Sequence, residues 1–189
     1  MRKQVILTLS IILMMNLSVY ALGKTRNVLI VYASFSGSTK EIADSMKLYL
    51  ANESTLVETL AAEKKRIELS KYDLVVIGSA IHGNAPHPQI LDFIETNRDE
   101  LRQKDVAVFA VCGTITSTKE QKRATALTYP DKIAHGLKPK NKIVLAGNIP
   151  SSGKKSDDFM AKLFLGIVTG DFRDWPKIKN WTKGLVKDN

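Results

Sequence analysis

From Asn27 onward the chain alternates short apolar runs with longer segments of helical periodicity. The apolar runs cover residues 27–33, 55–60, 73–79, 106–112 and 142–147. Runs of this length, rich in β-branched residues, are typical of strands that are buried on both faces of a parallel sheet. Because the connections are long enough for crossover helices, the pattern predicts right-handed β-α-β units and a doubly wound five-stranded α/β domain.

Five segments are predicted to be helices: residues 37–52, 88–103, 118–137, 158–167 and 174–186. We expect the third to break at Pro130, since proline removes a backbone donor and its ring crowds the preceding turn. The last is expected to begin with Asp174 as its N-cap and Pro176 in its first turn. The charged connection after residue 60 is expected to carry at most one helical turn.

The N-terminal segment reads as a targeting sequence. Arg2 and Lys3 precede an apolar stretch over residues 5–22, and the small residues Ala21 and Gly23 lie at its end. This layout is typical of a secretory signal peptide. The stretch is also just long enough for an uncleaved membrane anchor. We therefore divide the chain into residues 1–23, a signal peptide or membrane anchor, and residues 24–189, one domain, and expect the protein to be exported (periplasmic or otherwise extracytoplasmic) or membrane-anchored by residues 5–22.

Charge and metal-ligating residues exclude some classes of function. The formal net charge is +9, but the basic residues are scattered and are not interleaved with aromatic side chains. This pattern argues against nucleic acid as a partner. Cys112 is the only cysteine, and the three histidines lack the spacing of a zinc site, so no metal site is predicted.

The loop between the first strand and the first helix is rich in hydroxyl groups. Its residues are Ser34, Phe35, Ser36, Gly37, Ser38 and Thr39. At a helix N-terminus, backbone N–H groups, the helix dipole and side-chain hydroxyls converge, and together they favour a phosphate monoester. The loop lacks the Gly-Lys-Ser/Thr ending of nucleoside triphosphate sites and the three glycines of dinucleotide sites. The alternative interpretation is an ordinary helix cap that needs no ligand.

This loop resembles the flavodoxin phosphate loop, Thr/Ser-x-Thr/Ser-Gly-x-Thr, with Ser34, Ser36, Gly37 and Thr39 at its defined positions. Residues 72–81 (YDLVVIGSAI), 159–163 (FMAKL) and 174–175 (DW) are similar to the branch of flavodoxin-like proteins that includes the quinone-dependent protoporphyrinogen oxidases. The resemblance implies FMN as the cofactor and strand order 2-1-3-4-5. It places the flavin between the ends of strands one and three.

Two further loops are implied to hold the flavin ring. In the first, the expected contacts are Ser79, Ala80, Ile81, His82, Gly83 and Asn84. In the second, they are the backbone groups of Gly113 and Thr114. Neither loop contains the aromatic residues that commonly sandwich the ring in flavodoxins. Cys112 is expected to be a small core residue at a strand end.

Three functions remain open at this point. The first is an FMN electron carrier in an exported or membrane-associated redox system, with a redox partner protein or a membrane quinone as its partner. The second is an enzyme similar to the quinone-dependent protoporphyrinogen oxidases. The third is a flavodoxin-fold interaction protein without flavin. For the first, the basic charge predicts a less negative reduction potential than in acidic flavodoxins.

Overall fold

In a computed structural model, which describes residues 26–51, 55–63 and 65–187, the domain is built on a central parallel sheet. Its strands are β1 (Arg26–Ala33), β2 (Thr55–Ala61), β3 (Leu74–His82), β5 (Asp105–Val111) and β6 (Asn141–Leu145). They lie in the order β2-β1-β3-β5-β6 and all pair in parallel. A two-residue strand, β4 (Ala85–Pro86), folds back antiparallel onto β3. Counted among the five parallel strands, the order is therefore the predicted 2-1-3-4-5.

Helices cover both faces of this sheet. They are α1 (Ser38–Leu50), α2 (Pro88–Thr96), α3 (Arg98–Leu101), α4 (Glu120–Leu127), α5 (Tyr129–Ala134), α6 (Lys155–Met160) and α7 (Trp175–Gly184), with a 3₁₀ turn at Gly113–Thr116 and a π-helical turn at Ala161–Leu165. In α7, the Asp174 side chain accepts a hydrogen bond from the Lys177 N–H, so the predicted N-cap is confirmed. The predicted break near Pro130 is confirmed at Thr128, between α4 and α5.

The core forms two layers because alternate residues of each strand point to opposite faces. From β1, Leu29 and Val31 enter one buried cluster, which also contains Phe93 of α2. Val28 and Ile30 enter the other, with the apolar side of α1. All four strand residues are at most 2% exposed. An apolar run without alternation is therefore what a strand covered on both faces requires.

The predicted helix over residues 88–103 is instead two helices, divided at Asn97. The buried Asn97 amide donates to the carbonyls of Lys65 and Phe93, and its oxygen accepts from the Ile67 N–H. These bonds hold the connection between β2 and β3, which has no helical turn within its described residues. The break at Asn97 is set by the hydrogen bonds of its side chain to a distant segment, and helical periodicity does not indicate it.

The predicted helix over residues 158–167 begins earlier, at Lys155, and continues as a π turn to Leu165. It ends at Gly166, whose φ of 65° lies in the left-handed region that glycine adopts readily. The predicted signal or anchor, residues 1–23, lies outside the described residues. Among the described residues, no helix has the length and apolar character needed to span a membrane.

Candidate functional site

A cavity of about 530 Å³ opens at the carboxyl edge of the sheet, beyond the ends of β1, β3, β5 and β6. Its volume is that of a small-molecule site. Eleven of the fourteen predicted site residues line it: Ser34, Phe35, Ser36, Ser38, Thr39, Ala80, Ile81, His82, Gly83, Gly113 and Thr114. The other three, Gly37, Ser79 and Asn84, lie beside it and shape its walls. The three predicted loops thus meet at one place because parallel strands end at the same edge.

The loop that follows β1 is closed by the Ser34 hydroxyl. Its Oγ accepts hydrogen bonds from the N–H groups of Gly37 (3.0 Å) and Thr39 (3.3 Å). Gly37 takes φ = 90°, a left-handed conformation that a side chain would strain, and it is the N-cap of α1. Since Gly37 has no side chain to cap the helix, Ser34 takes that role from three residues upstream.

This arrangement leaves several backbone donors without a protein acceptor. Within the described part of the chain, the N–H groups of Phe35, Ser36 and Ser38 make no hydrogen bond. They belong to the loop at the positive end of the α1 dipole. No Asp, Glu, Lys or Arg of the described residues lines the cavity. The loop therefore offers a phosphate group neutral donors and a helix N-terminus, with no carboxylate to repel it.

The loop after β6 forms a wall of the cavity that the sequence analysis did not predict. Ser38 Oγ accepts a hydrogen bond of 2.9 Å from the Asn148 N–H. A Cβ atom added to Gly147 would lie 2.9 Å from both Ser38 Oγ and Val111 Cγ1, so only glycine allows this approach. The available signal was topological: this loop also follows a parallel strand, so it had to reach the same edge.

The predicted loop after β3 is a tight hairpin. Strand β3 continues to His82, and Gly83 (φ = 57°) and Asn84 (φ = 64°) form the two-residue turn before β4. Two left-handed residues are what this kind of turn requires. The Asn84 Oδ1 accepts from the Tyr129 hydroxyl at 2.6 Å, so this side chain bonds α5 beside the cavity.

Ser79 is fully buried and holds the base of this hairpin. Its Oγ donates to the Ala80 carbonyl (2.8 Å) and accepts from the His87 N–H (2.9 Å). Ala80, Ile81 and the exposed His82 are then presented along one wall of the cavity. Ser79 therefore positions the wall through its hydroxyl.

An aromatic side chain does reach the site, and it comes from the loop that follows β1. The Phe35 ring is 55% exposed, and its centroid lies 4.2 Å from that of His87 and 5.6 Å from that of His82. Burial lowers the pKa of His87, so this imidazole is favoured in its neutral form. Its Nδ1 accepts from the Gln89 N–H and caps α2.

Cys112 follows directly after β5, at the start of the third predicted loop. Its N–H donates to the Leu145 carbonyl (3.1 Å), and burial raises the pKa of its thiol to about 11. The thiol is therefore protonated at neutral pH, as expected of a core residue. Next to it, an added Cβ at Gly113 would lie 3.0 Å from Ile149 Cδ1, so Gly113 permits close packing against the loop after β6.

Residues 150–169 form a long excursion that completes the cavity. The excursion starts and ends at a two-stranded sheet, β7 (Asn148–Ile149) with β8 (Gly170–Asp171). Ala161, Leu165 and Ile167 of the excursion line the cavity. Arg173 fixes its base, because the guanidinium bonds Asp171 and also reaches Glu41 on α1. The periodicity of residues 158–167 predicts a helix here but gives no signal for the position of that helix over the site.

A second cleft, of about 460 Å³, lies at the opposite edge of the sheet. Two of its basic side chains already bond groups of the same cleft: Arg26 bonds Asp105 at 3.2 Å, and the Lys104 ammonium donates to the Ser70 carbonyl. Ligands of open α/β sheets bind at the carboxyl ends of the strands. We therefore assign the functional site to the first cavity.

The strand order, the loop after β1 and the cavity at the switch point define a flavodoxin-like α/β protein. A family model described as the flavodoxin domain matches residues 29–153, which is more than half of the chain. The chain therefore belongs to the flavodoxin domain family. Membership in this family supports FMN as the cofactor. No curated protein matches the chain.

Solved structures show the same fold. Oxidised Flavodoxin 1 from Bacillus cereus is 17% identical with a TM-score of 0.56, covering 86% of this chain and 99% of that one. Flavodoxin 2 from the same organism is 24% identical with a TM-score of 0.54, covering 84% and 97%. A flavodoxin from the domain Archaea is 14% identical with a TM-score of 0.50, covering 84% and 95%. At these identities the likeness establishes the fold.

Proposed function

We propose that this protein binds one FMN in the cavity at the carboxyl edge of the sheet and acts as an electron carrier. One observation carries the proposal: the loop from Ser34 to Thr39 presents backbone donors without acceptors at the N-terminus of α1. Family membership supports the identity of the cofactor.

The residues fit the two ends of this cofactor. The N–H groups of Phe35, Ser36 and Ser38, with nearby hydroxyls, would hold the phosphate. The walls beyond the loop are apolar, with Ile81, Ile149 and Leu165 among them, which suits a flat aromatic ring. Backbone groups of Gly113 and Thr114 would meet its polar rim.

FMN, when bound, supplies reversible electron uptake, and the protein supplies position and electrostatics. Among the described residues that line the cavity, His82 and Cys112 are the only titratable side chains, and none is a carboxylate or a lysine. The Cys112 thiol is protonated and inert at neutral pH. These features favour a carrier over an enzyme that must bind and deprotonate a substrate.

We further propose that the protein works outside the cytoplasm or at a membrane, with a redox partner protein or a membrane quinone as its partner. The basic and apolar residues 1–23 support this context. The protoporphyrinogen oxidase-like enzyme and the flavin-free interaction protein are the alternatives that experiment must separate from it.

The test is FMN binding to the full chain, measured by titration calorimetry and by the absorbance that remains after gel filtration. Gly37→Asp should abolish binding, because it adds a carboxylate and a side chain where the phosphate lies. Gly136→Asp is the matched control: the φ of 88° at Gly136 nearly equals the 90° of Gly37, but Gly136 follows the C-terminal end of α5 and lies outside the loop after β1. The two glycines share nearly the same φ, so a loss of FMN binding in Gly37→Asp alone points to the loop and not to backbone strain.

If the wild-type chain neither releases heat with FMN nor retains colour, the redox assignment is abandoned and the flavin-free alternative is adopted. If the yellow protein oxidises a porphyrinogen with reduction of a quinone, the enzyme alternative replaces the carrier. Retained colour without that activity supports the carrier.

A further inference from the structure

A set of large apolar side chains is exposed beside the cavity. Phe159, Met160, Leu163, Phe164, Leu165 and Val168, here called the apolar face, all lie on the excursion over residues 150–169. Phe159 is 62% exposed and Phe164 59% exposed. Scattered exposed apolar residues are normal, but a contiguous group with polar neighbours marks an interaction surface.

The backbone beneath the apolar face is already paired. The Lys119 ammonium donates to the carbonyls of Leu163 (3.0 Å) and Phe164 (2.9 Å), and the Thr118 N–H donates to the Gly166 carbonyl (3.1 Å). The apolar face is therefore held in place, and the surface that it presents to a partner is mainly hydrocarbon. Protein interfaces carry about one hydrogen bond per 100–200 Å², whereas a lipid surface needs no such directional match.

Charge around the face also fits a lipid surface. Lys154, Lys155 and Lys162 flank it, within a chain of net charge +9. Asp157 and Asp158 lie on the same segment, so these three lysines exceed the two acids by one charge, 3 − 2 = +1. Apolar side chains bordered by lysines are the pattern of segments that lie in the interface of an anionic membrane.

We propose that the apolar face inserts into the surface of an anionic lipid bilayer. Leu165 belongs to the face and also lines the cavity, so this docking turns the cavity mouth toward the lipid. The consequence for electron transfer rests on the proposed function: a lipid-soluble acceptor would reach the bound cofactor directly from the bilayer.

The form of the protein decides what flotation measures. An anchor at residues 5–22 would by itself bind the chain to vesicles. The apolar face is therefore tested on the chain released from residues 1–23.

The experiment expresses the full-length chain in a secreting host, purifies the exported protein and determines its N-terminus by mass spectrometry. Flotation with vesicles of phosphatidylglycerol and phosphatidylcholine, and with vesicles of phosphatidylcholine alone, measures binding. Phe164→Ser should lower binding to the anionic vesicles about tenfold. Leu163→Ser should also weaken it, while Leu48→Ser, which removes an exposed leucine near the far end of α1, should not.

Lys162→Glu should weaken binding to the anionic vesicles only. The proposal is overturned if the exported chain, freed of residues 1–23 by export or by a protease, does not float, or if Phe164→Ser floats like wild type. It is also overturned if gel filtration shows a dimer that Phe164→Ser dissociates and no flotation occurs, because the face is then a contact between two copies. Colourless protein that floats would refute FMN binding and leave the docking intact, so the two proposals fail separately.

Discussion

The Ser38 hydroxyl accepts a hydrogen bond of 2.9 Å from the backbone N–H of Asn148, a residue 110 positions further along the chain. This bond joins the start of α1, next to the loop after β1, to the loop after β6. Ser38 therefore lies between the ligand site and the loop that forms one wall of the cavity. The shape of the cavity therefore depends on the Ser38 hydroxyl. In the sequence this group is only one of several hydroxyls in the same loop.

Ser38→Ala should weaken FMN binding while the fold is kept. The Asn148 N–H would lose a partly buried hydrogen bond of about 0.5–1.5 kcal/mol, so we expect a rise in the FMN dissociation constant of roughly twofold to tenfold. Titration calorimetry measures it. Thr182→Ala is the control: this buried hydroxyl bonds the Ile178 carbonyl in α7, so its loss should lower stability and leave FMN affinity unchanged. Equal affinities in wild type and Ser38→Ala would contradict this role.

Gly147→Ala should disturb the same wall by a steric route. Its Cβ would lie 2.9 Å from Ser38 Oγ and Val111 Cγ1, so the loop or the strand must shift, at a cost of about 1–3 kcal/mol in unfolding free energy. Urea unfolding and FMN titration should both show a loss. Gly184→Ala, with nothing within 4 Å of the added atom, should be neutral or slightly stabilising. A Gly147→Ala variant as stable as Gly184→Ala would show that the wall is not tightly packed.

Local patterns predicted the sheet and most of the site, and topology explains why. Apolar runs without alternation, such as the one containing Val28 and Ile30, can be strands only if both faces are covered. Parallel strands then bring the loops that follow them to one edge, so Ser36 and Gly113 could be placed together from the sequence.

The parts that were not predicted depend on long-range contacts. Asn97 breaks a helix because it bonds residues 65 and 67, and periodicity contains no information on that pairing. The excursion over residues 150–169 lies on the cavity because β7 pairs with β8 and because Arg173 bonds Glu41. Two-residue strands and single ion pairs leave no pattern in a sequence.

The Cys112 thiol should be almost unreactive in the folded protein. Its pKa is raised to about 11 by burial, so at pH 8 only about one thiol in a thousand is ionised. Ellman's reagent should label the native chain very slowly and label it at once in guanidinium chloride. Since Cys112 is the only cysteine, the signal is unambiguous. Rapid labelling of the native protein would show that the end of β5 is open to solvent.

Asp105 should contribute a pH-dependent part of the stability. Hydrogen bonding to Lys140 and the charges of Lys140 and Arg26 lower the pKa of Asp105. A carboxylate with a lowered folded-state pKa stabilises the fold above its unfolded-state pKa, and that contribution disappears as the pH falls through the folded-state value. Asp105→Asn should therefore lower the unfolding free energy at pH 7 by at most about 1 kcal/mol, because the pair is partly exposed.

The difference between wild type and Asp105→Asn should shrink as the pH falls below the usual carboxyl range. Urea unfolding at neutral and acid pH measures it. Asp99→Asn is the control, because the Asp99 side chain is 89% exposed and its nearest ion-pair distance, to Arg102, is 3.7 Å. A constant difference across pH would mean that Asp105 acts through hydrogen bonding alone and not through its charge.

The basic charge should raise the reduction potential of bound FMN above that of acidic flavodoxins. Removing residues 1–23 takes away Arg2 and Lys3, so the domain keeps a net charge of +7, and a positive field favours the uptake of electrons. Because salt screens charges beyond about 10 Å at moderate ionic strength, the potential should become more negative as salt is added.

Lys132→Glu should lower the reduction potential further than Lys47→Glu. The Lys132 ammonium donates to the Asn84 carbonyl beside the cavity, whereas Lys47 lies in the last turn of α1. Redox titration of each variant at low and high salt measures these differences in potential. A potential as negative as that of acidic flavodoxins, and unaffected by salt, would show that local contacts outweigh the field of the whole domain.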